Sequence, residues 1–111
     1  MKTTTVLKQG VLIVQIEGEL DMHGADKFRE TIDTALDACG AKNMILDLQD
    51  VSFIDSSGLG VILGRYKRLS ALDGRILAVH VQPQVAHILE LSGLLKIIEV
   101  YPSQTDALAQ L

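Results

Sequence analysis

Two adjacent serines, Ser56 and Ser57, are the residues of this chain best placed to do chemistry. They follow an apolar run and precede a helical pattern of apolar residues, so we expect their hydroxyl groups at the start of a helix. A helix start offers backbone N–H groups without intrahelical partners and the positive end of the helix dipole, which together stabilise a side-chain oxygen or a phosphate. The simplest interpretation is that one serine caps the helix. A capping box is missing, because Leu59 and Gly60 stand where Glu or Gln would be needed.

Two glycines further along the same helix need an explanation of their own. Gly60 and Gly64 each cost about 0.8 to 1 kcal/mol relative to alanine in a helix interior. This cost indicates that something approaches the helix closely at these positions. The sheet beneath the helix and a partner protein are both candidates, and the spacing alone does not choose between them.

A serine hydrolase would need a general base and an oxyanion hole beside its nucleophile. The Gly-x-Ser-x-Gly sequence of a nucleophile elbow is missing from the chain. The three histidines, His23, His80 and His87, are predicted on a loop, at a strand end and on a helix. We therefore predict no catalytic residue.

A phosphate cradle is suggested by the glycines that crowd the helix start. Their spacing, Gly58, Gly60 and Gly64, is not the dinucleotide fingerprint, and no Gly-Lys-Ser or Gly-Lys-Thr follows. Nucleotide binding is therefore only weakly indicated, and no cofactor is predicted.

The carboxylates offer no strong metal or acid–base site. Asp21, His23 and Asp26 lack the tight Cys/His spacing of a zinc motif. Asp47 and Asp50 flank a predicted strand and are interpreted as exposed charges at its end. No metal is predicted.

Length and charge limit the function classes further. The 111 residues predict one domain, residues 1–111, and the net charge of −4 provides no basic surface for nucleic acid. The one cysteine, Cys39, cannot form an internal disulfide, and no signal peptide opens the chain, so we expect the cytoplasm. The apolar runs are too short to span a membrane.

The elements that position the serines follow from the hydrophobic pattern. We predict an antiparallel hairpin that turns at Gly10, a helix that ends at Gly40, a helix with Pro83 in its first turn, and a last helix capped by Ser103 and Asp106. The helix after the serines is predicted to bury Leu59, Ile62, Leu63, Tyr66 and Leu69. The predicted strands span residues 3–7, 11–17, 43–48, 75–81 and 95–100, and residues 49–55 are predicted as a connection. The order β-β-α-β-α-β-α-β-α predicts an α/β fold, with the hairpin joined to a mainly parallel sheet and four helices packed on it.

Three sequence blocks resemble one known family. Residues 53–67, Phe-Ile-Asp-Ser-Ser-Gly-Leu-Gly-Val-Ile-Leu-Gly-Arg-Tyr-Lys, resemble the STAS-domain anti-sigma factor antagonists, and among them the sporulation antagonists of the anti-sigma F factor. Gly-Glu-Leu-Asp at residues 18–21 matches a second block, and Leu-Ser-Gly-Leu at 91–94 with Lys-Ile-Ile at 96–98 matches a third. The likeness spans nearly the whole chain in the same order and implies the STAS fold.

The resemblance implies a mechanism of partner exchange in which this domain is a substrate and not an enzyme. The unphosphorylated antagonist binds an anti-sigma factor that is also an ATP-dependent serine kinase, and the sigma factor is released. Phosphorylation of the first serine after the aspartate, Ser56 here, switches the antagonist off, and a PP2C-type phosphatase restores it. The residues alone do not prefer Ser56 over Ser57. We expect the partner at the residues around this corner: Asp21, His23, Asp55, Ser57, Gly58, Gly60, Val61, Gly64 and Arg65.

Three alternatives stay open. A general stress-response antagonist would exchange partners in the same way on another sigma factor. A STAS module that binds a nucleotide or another phosphate ligand would use the Ser56 corner as a pocket. A small serine hydrolase is the least favoured.

Overall fold

The computed structural model describes all residues, 1–111, as one α/β unit built on a five-stranded sheet. The strands are β1 (Lys2–Lys8), β2 (Val11–Leu20), β3 (Met44–Ile54), β4 (Ile76–Val79) and β5 (Glu99–Tyr101). The helices are α1 (Ala25–Cys39), α2 (Ser56–Ser70), α3 (Pro83–Leu91) and α4 (Gln104–Leu108), with a 3₁₀ turn at Leu94–Lys96. The predicted order of elements is confirmed.

The sheet order is the chain order, β1-β2-β3-β4-β5. β1 and β2 pair antiparallel, whereas all later neighbours pair parallel. Parallel neighbours need a crossover connection, and α1, α2 and α3 supply the three crossovers. The predicted hairpin on a mainly parallel sheet is therefore confirmed.

The helices cover the two faces of the sheet unequally. A cluster of 23 buried residues joins α1, α2, α3 and the 3₁₀ turn to one face. The other face carries a cluster of six, to which α4 contributes Ala107. None of the helices combines the length and apolarity that a membrane crossing requires.

The hairpin turn and the end of α1 lie where the local sequence predicted them. Gln9 and Gly10 both have positive φ, 52° and 77°, as expected for a two-residue turn that matches the twist of a hairpin. Gly40 ends α1 in the left-handed conformation at φ 66°, and its N–H donates to the Leu36 carbonyl at 2.8 Å.

The third strand is longer than predicted. Residues 49–54 were expected in a connection, but β3 continues to Ile54. β2 also runs on to Leu20, and the two strands pair to their ends through register shifts at Gln15/Glu17 and Gly18/Glu19. These register shifts interrupt the strict alternation of apolar residues. The hydrophobic pattern therefore did not predict that β2 and β3 continue to Leu20 and Ile54. The serine corner therefore follows a paired strand.

Three smaller predictions need correction. Residues 95–100 begin in the 3₁₀ turn, because Gly93 turns the chain at φ 82° and the Ile98 N–H donates to the Leu94 carbonyl at 2.9 Å. The strand predicted at 75–81 spans only Ile76–Val79, since His80 leaves the extended conformation at φ 54°.

Asp47 is the third correction, because it is buried and not an exposed strand-end charge. Its side chain lies in the sheet with 7% of the residue exposed. Gln104 Nε2 donates to Asp47 Oδ2 at 2.8 Å, and the Gln49 N–H donates to Oδ1 at 3.2 Å. These bonds satisfy the carboxylate and tie α4 to the sheet.

Candidate functional site

Asp55, and not a serine, caps the helix at the serine corner. Asp55 is extended at φ −96° and ψ −176°, and its Oδ1 accepts the N–H groups of Ser57 at 2.8 Å and Gly58 at 3.1 Å. A carboxylate here satisfies two free donors and complements the helix dipole. The serine cap predicted from the sequence is therefore wrong. Ser56 becomes the first helical residue and is exposed.

Asp55 also ties the corner to the loop before α1. Its Oδ2 accepts the Met22 N–H at 3.0 Å, and its own N–H donates to the Leu20 carbonyl at 3.1 Å. Within that loop, Asp21 Oδ1 accepts the His23 N–H at 3.0 Å, which stabilises the turn locally. The structure thus brings Leu20 and Met22 against the serine corner, whereas Asp21 and His23 line a separate pocket on the other side of the loop.

The close approach in α2 occurs at Gly58. A Cβ atom on Gly58 would lie 2.6 Å from the Leu20 carbonyl oxygen and 2.7 Å from Leu20 Cγ. No real side chain tolerates such contacts with backbone, so glycine is needed for α2 to dock on the end of β2. A Cβ on Gly60 or Gly64 would meet nothing within 4 Å. The sheet therefore does not explain those two glycines.

Two grooves meet at Ser56 and Gly60, which line both. The charged groove, about 370 Å³, lies between α1 and α2. It is lined by Met22, Ala25, Asp26, Arg29, Ser56, Ser57, Gly60, Val61 and Arg65. The apolar groove, about 250 Å³, lies between α2 and the 3₁₀ turn. It is lined by Ser56, Leu59, Gly60, Leu63, Ser92 and Leu94.

Arg65 borders the charged groove and links α2 to α1. Its side chain is only 13% exposed, and Nε lies 3.2 Å from Asp33 Oδ1. Burial lowers the pKa of Arg65, and the charge of Asp33 opposes that shift. The Nε and Nη1 atoms are buried without hydrogen-bond partners, so the ion pair leaves donors of this guanidinium unsatisfied.

Comparison with known proteins identifies the family of the chain. The family model of the STAS domain matches residues 2–107. An anti-sigma F factor antagonist from Paenibacillus polymyxa is 43% identical over 103 residues, which cover 93% of this chain and 88% of that protein. The chain belongs to the STAS-domain family of anti-sigma factor antagonists.

A solved STAS antagonist has the same architecture in two chemical states. The unphosphorylated form of the anti-sigma factor antagonist SpoIIAA is 27% identical, covers 98% of this chain and 95% of its own, and superposes with a TM-score of 0.84. The phosphorylated form of SpoIIAA from Bacillus is 26% identical, covers 98% of both chains, and superposes with a TM-score of 0.75. The STAS fold expected from the sequence is confirmed.

Within this STAS domain the predicted contact residues divide by accessibility. Ser56, Gly60 and His23 are exposed. The half-buried residues are Asp21, Asp55, Ser57, Gly64 and Arg65. Gly58 is buried against β2, and Val61 belongs to the core and is only 6% exposed, at the charged groove.

The candidate metal ligands and the three histidines do not come together in the structure. No three His, Cys, Asp or Glu side chains are grouped as a metal site would require, so Asp21, His23 and Asp26 do not form one. His80 follows β4 and His87 lies in α3, so the histidines stay on separate elements.

Two exposed apolar residues near Ser56 were missed. Met22 is 69% exposed and lines the charged groove. Leu63 was predicted in the core but is 36% exposed and lines the apolar groove. Of the predicted stripe, Ile62 and Leu69 are buried and Leu59 and Tyr66 are partly buried against the same core, while Gly58 and Val61 complete the buried face of α2. Glycine counts as neutral in a hydrophobic pattern. The sequence therefore did not indicate that Gly58 packs against β2.

Proposed function

We propose that this STAS domain is an anti-anti-sigma factor that is switched by phosphorylation of Ser56. Its unphosphorylated form binds an anti-sigma factor that is also an ATP-dependent serine kinase, and this binding releases the sigma factor in the cytoplasm. A PP2C-type phosphatase removes the phosphoryl group and restores binding. The domain is the substrate of both enzymes. The observation that carries the proposal is that Asp55 caps α2, which leaves the exposed Ser56 without a role in holding the helix start.

Accessibility supports Ser56 over Ser57 as the phosphorylated residue. A kinase must enclose the acceptor hydroxyl together with the γ-phosphate of ATP, so the serine has to project from the domain. Ser56 is exposed, whereas Ser57 is half-buried at the edge of the charged groove.

The glycines of α2 support a closely packed partner on the same helix face. Ser56, Gly60 and Gly64 recur every four residues, so they lie above one another along α2. The open space over both glycines lets the backbone of a partner come nearer than any side chain would permit. This use explains the cost of two helical glycines that the domain itself does not require.

The contacts of Asp55 also bear on how a phosphate on Ser56 would weaken partner binding. A phosphoserine adds about −1.5 to −2 charges. The N–H groups of Ser57 and Gly58 already bind the Asp55 carboxylate, so the phosphate finds fewer free donors than an uncapped helix would offer. Against a partner that presents an acidic group, one like-charge contact with the phosphate near 4 Å would cost roughly 4 kcal/mol at an effective dielectric of about 20, or about three decades in affinity.

The fold should survive the modification. The phosphate would stand on an exposed helix start and would displace no buried group. SpoIIAA, which has this fold, has been solved in both forms.

The test is incubation with an anti-sigma F-type kinase and ATP, with the site read by mass spectrometry. We expect one phosphoryl group on the wild type and on Ser57→Ala, and none on Ser56→Ala. Ser56→Ala should bind the kinase and release the sigma factor with wild-type affinity, whereas Ser56→Asp should bind at least tenfold more weakly. Phosphorylation of Ser56→Ala at the wild-type rate would refute the assignment.

The identity of the kinase separates the sporulation function from the stress-response alternative. The 43% identity with an anti-sigma F factor antagonist supports the sporulation system. We therefore expect tighter binding to an anti-sigma F factor than to an anti-sigma-B factor in a side-by-side titration. The reverse order would assign the domain to the stress response.

A further inference from the structure

The charged groove beside Ser56 contains two arginines, and the proposed switch gives them no role. Arg29 of α1 and Arg65 of α2 line this groove of about 370 Å³ together with Ser56. The side chain of Arg65 is 13% exposed, whereas that of Arg29 is 49% exposed. Arg29 is therefore the cation that a group at the surface of the groove can contact.

The packing of α1 against α2 places Arg29 level with the start of α2. Both helices connect parallel strands on the same face of the sheet, so they run in the same direction. Arg65 Nε lies 3.2 Å from Asp33 Oδ1, and this pair sets their alignment. Arg29 comes one helix turn before Asp33, and Val61 comes one turn before Arg65. Helical side chains lean toward the N-terminus, so the guanidinium of Arg29 points to the first turn of α2, where Ser56 lies.

Arg29 is held only by an exposed ion pair. Its Nη2 donates to Asp26 Oδ1 at 2.8 Å, and the side chain of Asp26 is 88% exposed. Exposed pairs three residues apart on a helix contribute little stability. A phosphate carries up to twice the charge of a carboxylate and offers three acceptor oxygens to the planar guanidinium, so it outcompetes Asp26 for Arg29.

The backbone donors at the serine corner are already used. The N–H groups of Ser57 and Gly58 donate to Asp55 Oδ1 at 2.8 and 3.1 Å. A phosphate on Ser56 therefore needs a side-chain donor, and Arg29 is the exposed cation of the groove that Ser56 lines.

The two guanidinium groups of the groove repel each other. Burial lowers the pKa of Arg65, and the positive charge of Arg29 lowers it further, although Asp33 opposes the shift. Nη1 of Arg65 is also buried without a hydrogen-bond partner. An anion bound at Arg29 would offset this repulsion, so the groove favours a negative group at its exposed end.

We propose that Arg29 binds the phosphoryl group of Ser56 within the same domain, so that the phosphate lies along the charged groove. This inference rests on the proposed function and deepens it by naming the residue that positions the phosphate. Arg29 releases the Asp26 carboxylate and binds the phosphate in its place. The phosphorylated form then carries an anion held at a fixed place between α1 and α2.

The test measures the second pKa of the phosphate by ³¹P NMR titration. Phosphoserine is incorporated at position 56 of the full chain during translation, so the test does not depend on a kinase. This pKa is ordinarily about 6. The charges of Asp26 and Asp55 raise it and the charge of Arg29 lowers it, so the removal of Arg29 has a defined sign.

Arg29→Gln is compared with Lys27→Gln, which removes one positive charge from the same helix. Lys27 is exposed and lines two other grooves, so it serves as the matched control. We expect Arg29→Gln to raise the pKa of the phosphate by about 0.5 unit or more. Lys27→Gln should leave it within about 0.1 unit, because solvent and salt screen a charge on another side of the helix.

The outcomes separate this inference from the proposed function. An unchanged pKa in Arg29→Gln, or equal shifts in the two variants, would overturn the role of Arg29 and leave phosphorylation of Ser56 untouched. An anti-sigma kinase that leaves Ser56 unmodified would instead refute the proposed function, while the titration of the phosphoserine chain still decides whether Arg29 binds the phosphate.

A second measurement distinguishes the phosphate on Ser56 from free phosphate. The Nε–H signal of Arg29 in ¹H–¹⁵N spectra should shift in the phosphoserine chain. Millimolar inorganic phosphate added to the unphosphorylated chain should leave that signal in place. If free phosphate shifts it as much as phosphoserine does, the groove is a site for free phosphate, and the assignment to the Ser56 phosphoryl group is wrong.

Discussion

Two helices of this domain begin beside a serine, and the two serines do different things. At the start of α4, Ser103 is the cap: its Oγ accepts the Asp106 N–H at 3.1 Å and donates to Asp106 Oδ2 at 3.0 Å. At the start of α2, the cap is Asp55, and Ser56 stands one residue later as an exposed side chain. The same residue type is therefore structural at one helix start and free at the other.

The difference shows what makes a serine suitable as a switch. A phosphate on Ser103 would break both bonds that hold the first turn of α4. A phosphate on Ser56 leaves the capping bonds of α2 in place, because they belong to Asp55. Because the capping group is Asp55 and the proposed phosphorylation site is Ser56, the surface charge could change while the fold persists.

The largest expected effect is at Asp55. Asp55→Ala removes the cap of two N–H groups and the bond from the Met22 N–H, so we expect the free energy of unfolding to fall by about 3 kcal/mol. Urea denaturation measures this loss, with Ser56→Ala as the neighbouring control at less than about 0.5 kcal/mol. Equal losses for the two variants would mean that the serine shares in capping, and the contrast with α4 would disappear.

A matched pair of glycine substitutions tests how α2 is seated. Gly58→Ala forces a Cβ against the Leu20 carbonyl and should cost about 2 kcal/mol. Gly60→Ala meets open space and should stabilise the helix by up to about 1 kcal/mol, yet weaken binding to the kinase. Thermal unfolding and a binding titration on both variants measure the two effects. A Gly60→Ala variant that binds normally would remove the argument for a closely packed partner.

The smallest expected effect is at the other serine. Ser103→Ala removes one cap from a short helix, so the free energy of unfolding should fall by about 1 kcal/mol. Ser103→Asp should recover only part of that loss, because its carboxylate can accept the Asp106 N–H but cannot donate to Asp106 Oδ2 and lies beside that like charge. Chemical denaturation of both variants checks this order. If Ser103→Ala unfolds like the wild type, α4 is held by its packing and Gln104 alone.

Features with local causes could be predicted from the sequence. The turn at Gly10, the end of α1 at Gly40 and the cap at Ser103 each depend on residues within a few positions of one another. Pro83 likewise occupies the first turn of α3, as its fixed φ predicts. Backbone conformation at a turn or cap is decided by one or two residue types, so the sequence is sufficient there.

Features that depend on distant partners could not be predicted. The extension of β3 to Ile54 depends on pairing with β2, and the burial of Asp47 depends on Gln104, 57 residues away in the chain. Leu63 was also misplaced, because it fits the apolar period of α2 but lies exposed, whereas Gly58 is the residue that packs against β2.

By itself, the sequence determined the fold family and the order of the elements, and it predicted the corner where we propose that a phosphate acts. These features follow from hydrophobic periodicity, turn residues and family motifs, each of which involves residues close together in the sequence. Only the tertiary structure decided that Asp55 caps α2, that Gly58 rather than Gly60 is required by the fold, and that Ser56 lies between a charged and an apolar groove. Each of these depends on how α2 sits against β2, the loop before α1 and the 3₁₀ turn, which are contacts between segments far apart in the chain.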